Sequence, residues 1–115
     1  MPVATMFLDY QDLYVHWDRH GSDFGSPDDA DYLNRCLQFL NADRTMQTDI
    51  QECNRVATNE IVRFNAVTDE FAIMSVSGII RTYFKPMPRH RTPSGYRGVT
   101  HPFHTNQLYF QANCT

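Results

Sequence analysis

A chain of 115 residues, 42% hydrophobic and 13% aromatic, is long enough for one domain with one core and too short for two. Its composition excludes a repeat or low-complexity protein, and no apolar run is long enough to span a bilayer. The net charge of −3 argues by itself against a nucleic-acid binder, yet residues 1–70 hold all thirteen acidic side chains and carry −8, while Arg81, Lys85, Arg89, Arg91 and Arg97 leave the remainder at +5.

Such an asymmetry suits a basic surface for a polyanion on an acidic scaffold, unless the two halves interleave in space and neutralise each other. The opening MPVATMFLDY lacks the basic and apolar regions of a signal peptide, so export would depend on another carrier.

From Asp9 to His20, the residues Tyr10, Leu13, Tyr14 and Trp17 recur at helical spacing, and Gly21 supplies a stop. His16 and His20, four apart, share one side of this helix. HxxxH spacing can hold zinc, but Trp17 stands where a metalloprotease needs glutamate and no third ligand is placed, so neither metal nor cofactor is expected. The stretch SPDD opens a second helix, with Ser26 as cap, Pro27 at the first helical position, and Asp28 and Asp29 at the positive end of the dipole. Leu33, Cys36, Leu37 and Leu40 form its apolar stripe, to about Asn41. Residues 41–48 read as loop and 50–55 as an edge strand.

EIVRFN, EFAIMSV and IIRTYFK, separated by AVTD and by a two-residue Ser77-Gly78 turn, predict an antiparallel meander. That turn sets Val76 against Ile79, Met74 against Arg81, Ala72 against Tyr83 and Phe71 against Phe84. Closing Asn65 on Glu70 sets Phe64 against Phe71 and Arg63 against Ala72. One face then carries Phe64, Phe71, Phe84, Val62, Ile73 and Ile80, on which the helices pack. The other is an open cationic surface of Arg63, Arg81, Tyr83 and Lys85. Thr82 falls on the core side unless a bulge turns it round.

After Pro86, MPRHRTPSGYRGVTHPFH reads as a long mobile loop. Its Arg89, Arg91 and Arg97, interleaved with His90 and Tyr96, suit a phosphate backbone or base stacking. A short terminal element, TNQLYFQANC, closes the chain. Cys36, Cys53 and Cys114 lack metal-ligand spacing; buried free thiols are expected, with a Cys53–Cys114 pairing as the alternative.

Histidine beside Arg, Lys, Thr and Tyr is a set suited to metal-free phosphodiester cleavage. That reaction needs a base for the 2′-hydroxyl proton, an acid for the leaving 5′-oxygen, and cations for the charge gathering on phosphorus. Gly-rich phosphate loops, a GxSxG elbow and a catalytic cysteine setting are absent from the sequence.

The order HWDRHGSDFG, DYLNRCLQFLN, EIVRFN, EFAIMS, GIIRTYFKP and TNQLYF resembles the C-terminal ribonuclease domain of bacterial polymorphic toxins, contact-dependent growth-inhibition toxins included, in the fold group of barnase, EndoU, colicin and RelE. The similarity runs from about Val15 to Gln111 and is most specific from Glu60 to Pro86. It implies an α+β fold with helices on a twisted antiparallel sheet, an RNase site on the open sheet face, a target that is often transfer RNA, and an acidic immunity protein covering the site. The family histidine falls on His20, its strand arginine on Arg63, and its R-T-Y-F-K-P string on Arg81, Thr82, Tyr83, Phe84 and Lys85. Its closing TN-x2-YF falls on Thr105, Asn106, Tyr109 and Phe110. Thr58-Asn59-Glu60 departs from the family's NGD-like turn, and the loop from Pro86 to Thr105 is longer than is common there.

With these positions, His20 is expected to act as base or acid, Lys85, Arg81 and Arg63 to stabilise phosphate, and Thr82 and Tyr83 to position it. His16, His101 and His104 compete for the second proton transfer, and Arg89, Arg91, Arg97, His101, His104, Asn106 and Tyr109 bind substrate. The chain is then a trimmed toxin module or a free-standing relative, delivered from outside and acting in the target-cell cytoplasm. The alternative is a non-catalytic RNA-binding or protein-interaction module using the same cationic face.

Overall fold

The computed structural model describes residues 2–115, and its architecture is α+β. A five-stranded sheet has the order β1-β5-β4-β3-β2, formed by β1 (Met6–Phe7), β2 (Ile50–Arg55), β3 (Glu60–Asn65), β4 (Phe71–Ser75) and β5 (Ile79–Phe84). β1 joins parallel to β5 and the remaining neighbours pair antiparallel. The meander and the edge strand therefore form where the alternation places them.

Helix α1 (Tyr10–His20) is capped by the Asp9 carboxylate, which accepts from the Asp12 N–H at 2.7 Å. It turns Leu13 and His20 inward and leaves Tyr10 and Tyr14 exposed, so the inward stripe is rotated from the aromatic one. The cap of α2 (Asp29–Leu40) is Asp28 rather than Ser26: its carboxylate accepts from the Asp31 N–H at 2.8 Å, whereas the Ser26 N–H closes a turn on the Gly21 carbonyl at 3.0 Å. Tyr32, Cys36, Phe39 and Leu40 are its buried residues, with Leu33 and Leu37 packed at the margin.

The two faces of the sheet are exchanged relative to expectation. Helices α1 and α2 pack on the face of Ile61, Arg63, Ala72, Met74, Ile80 and Tyr83, not on the phenylalanine face. The guanidinium of Arg63, only 2% exposed, gives the reason. Its Nε donates to Glu52 Oε1 on the neighbouring strand at 2.7 Å, and its Nη1 donates to the carbonyls of Phe39 and Ala42 at the end of α2, at 3.1 and 2.8 Å. Those carbonyls have no partner within the helix, so a strand cation satisfies them. Tyr83 is fully buried alongside and stacks on Phe24 at 4.1 Å.

The phenylalanine face, with Val62, Phe64, Phe71, Ile73 and Phe84, is covered by the chain's end. TNQLYFQANC forms helix α3 (Asn106–Ala112), capped by Thr105, and Phe110 packs on Phe64 at 5.6 Å. The long segment after Pro86 is pinned rather than free: β6 (Met87–Pro88) pairs in parallel with β7 (Thr100–His101).

The β4–β5 connection has three residues, Val76 to Gly78, not two. Gly78 has φ +94°, and a Cβ there would sit 2.2 Å from the Val3 carbonyl oxygen, so only glycine fits. Met74 consequently faces Ile80 instead of Arg81, Arg81 is the bulged residue, and the expected register resumes at Ile73 and Thr82. The bulge moves Ile80 to the helix side and does not turn Thr82, which stays opposite Ile73.

Cys53 and Cys114 form a disulfide and only Cys36 is a buried free thiol, which corrects the expectation of three free cysteines. The bridge ties the end of α3 to edge strand β2, where Arg55 also donates through Nε to the Asn113 carbonyl at 2.8 Å. Because it spans a sequence separation of 61 residues, its removal by Cys53→Ser with Cys114→Ser is expected to lower the unfolding free energy by about 4 kcal/mol. Urea unfolding with and without reductant measures this; coincident midpoints would show that the bridge does not form.

Candidate active site

The hairpin register builds a polar concavity. Phe71 pairs with Phe84, so one step beyond the end of each strand stand Glu70 and Lys85, both on the helix side of the sheet. They line a cleft of about 390 Å³ with Asp23, Phe24, Arg35, Gln38, Phe39, Gln47, Thr68 and Tyr83. Helix α2 contributes Arg35 and Gln38 from its outer rim, and the short 3-10 turn after α1 contributes Asp23 and Phe24.

Glu70 is held by two hydroxyls. Tyr83 donates to Oε2 at 2.5 Å and Thr68 donates to Oε1 at 2.8 Å. Burial, with the hydrogen bond to Glu70 next in size, pushes the Tyr83 phenol far above its ordinary range, so it stays a donor. Each Glu70 oxygen keeps a second lone pair with which to accept a substrate proton. Opposite, the Lys85 ammonium lies 5.5 Å above the Phe24 ring, while its backbone N–H donates to Asp23 Oδ2 at 3.1 Å. Burial raises the Asp23 carboxyl above the usual carboxylate range, an effect opposed by that N–H and by the Lys85 charge. Arg35 spends its Nε on Asp31 at 2.8 Å at the rim of the cleft. Carboxylate, ammonium, guanidinium and two hydroxyls thus converge on one opening.

Of the residues expected to form the site, Lys85 and Tyr83 are in it, and Tyr83 serves from beneath. Arg63 is removed to the core by its partners under α2. Arg81 is exposed at the bulge within β5, with Nε 3.5 Å from Glu60 Oε2. Thr82 is half-buried on the opposite face.

His20 is buried to 3% exposure against Phe84, with its Nδ1 lacking a hydrogen-bond partner among the described residues. His16 packs on Phe7 and its Nδ1 lies 2.9 Å from the Asp12 carbonyl. His101 and Asn106 are buried and bonded to each other, and Tyr109 stacks on His101 at 4.4 Å. His101 and Asn106 thus lie inside the molecule rather than on an open sheet face, while Tyr109 is half-buried. His104 is exposed and stacked on His90. Arg89, Arg91 and Arg97 are exposed and enter no ion pair among the described residues, while Tyr96 brings their loop to the cleft by donating to the Lys85 carbonyl at 3.4 Å.

Glu70 was within reach of the sequence, since the register that sets Phe71 against Phe84 places it beside Lys85. Arg35, Gln38 and Asp23 carry no local signal, as their convergence depends on how α1 and α2 sit on the sheet. No protein-family model matches the sequence, and a search of curated proteins finds no match to it.

Two consequences separate core from cleft. Arg63→Ala leaves Glu52 and two helix-end carbonyls unpaired and is expected to cost about 3–5 kcal/mol of stability, whereas Lys85→Ala should cost less than about 1 kcal/mol; urea unfolding of both variants decides it. His20, with a pKa pushed down from 6.5 to about 4 chiefly by burial and then by Arg19 and His16, is held neutral in the folded chain. The unfolded chain takes the proton more readily, so this contribution is whole above pH 6.5 and is lost as pH falls toward 4. Relative to His20→Gln, wild-type stability is expected to fall across that window by about 3 kcal/mol; parallel pH profiles would show that His20 titrates normally.

Proposed function

We propose that the chain is a metal-independent endoribonuclease toxin whose reaction takes place in the Glu70–Lys85 cleft. The observation that carries this is a carboxylate oriented by two hydroxyls, set directly across the hairpin from the chain's only lysine and beside Arg35. Glu70 accepts the proton of a 2′-hydroxyl as its oxygen attacks the adjacent phosphorus. Lys85 and Arg35 balance the charge on the phosphorane, and the Lys85 ammonium gives a proton to the departing 5′-oxygen. The products are a 2′,3′-cyclic phosphate and a 5′-hydroxyl, and no atom beyond RNA and protein takes part.

Transfer RNA is the proposed substrate class, supported by the resemblance of the Glu60 to Pro86 block to toxin ribonucleases. Arg89, Arg91 and Arg97, in no ion pair among the described residues and on the loop that Tyr96 ties to the Lys85 carbonyl, offer a grip for its backbone and for an acidic immunity protein. The Cys53–Cys114 bridge suits a domain that crosses an oxidising compartment before reaching a target cytoplasm. A binding module built on an open cationic sheet face has no such face here, since Arg63 and Tyr83 lie beneath α2.

Purified protein incubated in EDTA with total bacterial RNA is expected to yield discrete transfer-RNA fragments ending in 2′,3′-cyclic phosphate. Glu70→Gln and Lys85→Ala should each slow cleavage at least about 100-fold, and His20→Gln should retain it. Full activity in Glu70→Gln would refute this site; binding without cleavage by wild type would refute the enzyme.

A further inference from the structure

We propose that Asn106, oriented by His101, is a positioning residue that sets the separation of Glu70 and Lys85, a role that rests on reading their cleft as the reactive site. The sheet ladder ends at Phe71 and Phe84, so strand pairing does not govern how far apart the next residues stand. Asn106 bridges the two chains at that point. Its side-chain Nδ2 donates to the Pro86 carbonyl at 2.9 Å and to Asp69 Oδ1 at 3.1 Å. Pro86 directly follows Lys85 and Asp69 directly precedes Glu70, so one amide group clamps the chain beside both reactive side chains.

On the Glu70 side the clamp adds to the bonds that hold a constrained turn. Asp69 has φ +64°, the left-handed region that a residue with a side chain seldom adopts. This turn is also what brings Thr68 Oγ1 to Glu70 Oε1 at 2.8 Å. Its near end is fixed by Asn65 Oδ1, which accepts from the Val67 and Thr68 N–H groups at 2.8 and 3.2 Å. Its backbone closes on Asn65, whose carbonyl accepts from the Asp69 N–H at 2.7 Å and whose N–H donates to the Glu70 carbonyl at 2.9 Å, and the Asp69 carboxylate beyond is held by Asn106.

His101 decides which way the Asn106 amide points. His101 Nδ1 accepts from the Phe103 N–H at 3.2 Å, so Nε2 carries the hydrogen and donates to Asn106 Oδ1 at 2.7 Å. The NH₂ group must then face Asp69 and Pro86. The imidazole is itself fixed, 2% exposed and stacked on Tyr109 at 4.4 Å. Two residues that the sequence suggests as substrate contacts thus act through Glu70 and Lys85 without reaching substrate.

Asn106→Ala is expected to lower kcat for RNA cleavage about tenfold or more while KM stays within about twofold. Phe110→Leu, which loosens α3 and leaves the amide in place, should not reproduce that split. Asp69→Gly relieves the backbone but removes the acceptor, and is expected to repeat the loss. Asp69→Asn, which keeps an acceptor oxygen and tolerates the left-handed backbone, is expected to restore kcat. Asn106→Ala combined with Asp69→Gly should be no worse than either alone.

An unchanged kcat in Asn106→Ala, an equal loss in Phe110→Leu, or losses that multiply would overturn the clamp. If Asn106→Ala does not fold, the Asp69 variants decide by the same criteria. If wild type leaves RNA intact, the nuclease reading fails separately, and the clamp is judged by backbone amide resonances. Both Asp69→Gly and Asn106→Ala should then shift Thr68, Glu70 and Lys85 while helix α2 stays in place; unmoved Glu70 and Lys85 signals would overturn it.

Discussion

The guanidinium of Arg63 joins the layers of this protein. A charge buried to that degree is costly unless hydrogen bonds and an opposite charge meet it, and here Glu52 and the carbonyls at the end of α2 do so together. The arrangement fixes a helix end to the middle of the sheet. Once α2 is anchored there, Tyr83 becomes core, and the Tyr32 hydroxyl, from the same helix, donates to the Tyr83 carbonyl. The rim of α2 then closes one wall of the cleft in which Glu70 and Lys85 face each other.

Covering one face in this way leaves the phenylalanine face to the end of the chain. Helix α3 has only seven residues, too few to persist alone, and it holds through Phe110, the Arg55–Asn113 contacts and the Cys53–Cys114 bridge. The same helix carries Asn106 at its first position, so the element that seals the second face also holds the chain beside Glu70 and Lys85. Sealing and site geometry are therefore mechanically linked. The acidic and basic halves of the sequence interleave partly in space, with Arg81 beside Glu60 and Lys85 beside Asp23, while Arg89, Arg91 and Arg97 enter no ion pair among the described residues.

Alternation and spacing made the α+β class, two helices, the edge strand and the three-stranded meander legible in the sequence, because these are local periodicities read within a few residues. Pairings such as Phe64 with Phe71 and Phe71 with Phe84 were equally legible from the loops that join the strands. Alternation alone does not say which face the helices cover, since both faces of these strands are buried and each contains large side chains. Polar satisfaction decided it: the Phe39 carbonyl at the end of α2 and the Ala42 carbonyl just past it found Arg63, and a face that looked like an exposed cationic surface became interior. His20 and His101 were visible as chemically capable residues, but whether an imidazole meets water or a phenyl ring depends on contacts from distant segments, and here those contacts bury both. The sequence by itself determined α1, α2 and strands β2 to β5 in their order; the tertiary structure decided the short pairings of β1, β6 and β7 and which polar groups were left facing outward, because both depend on packing between segments far apart in the chain.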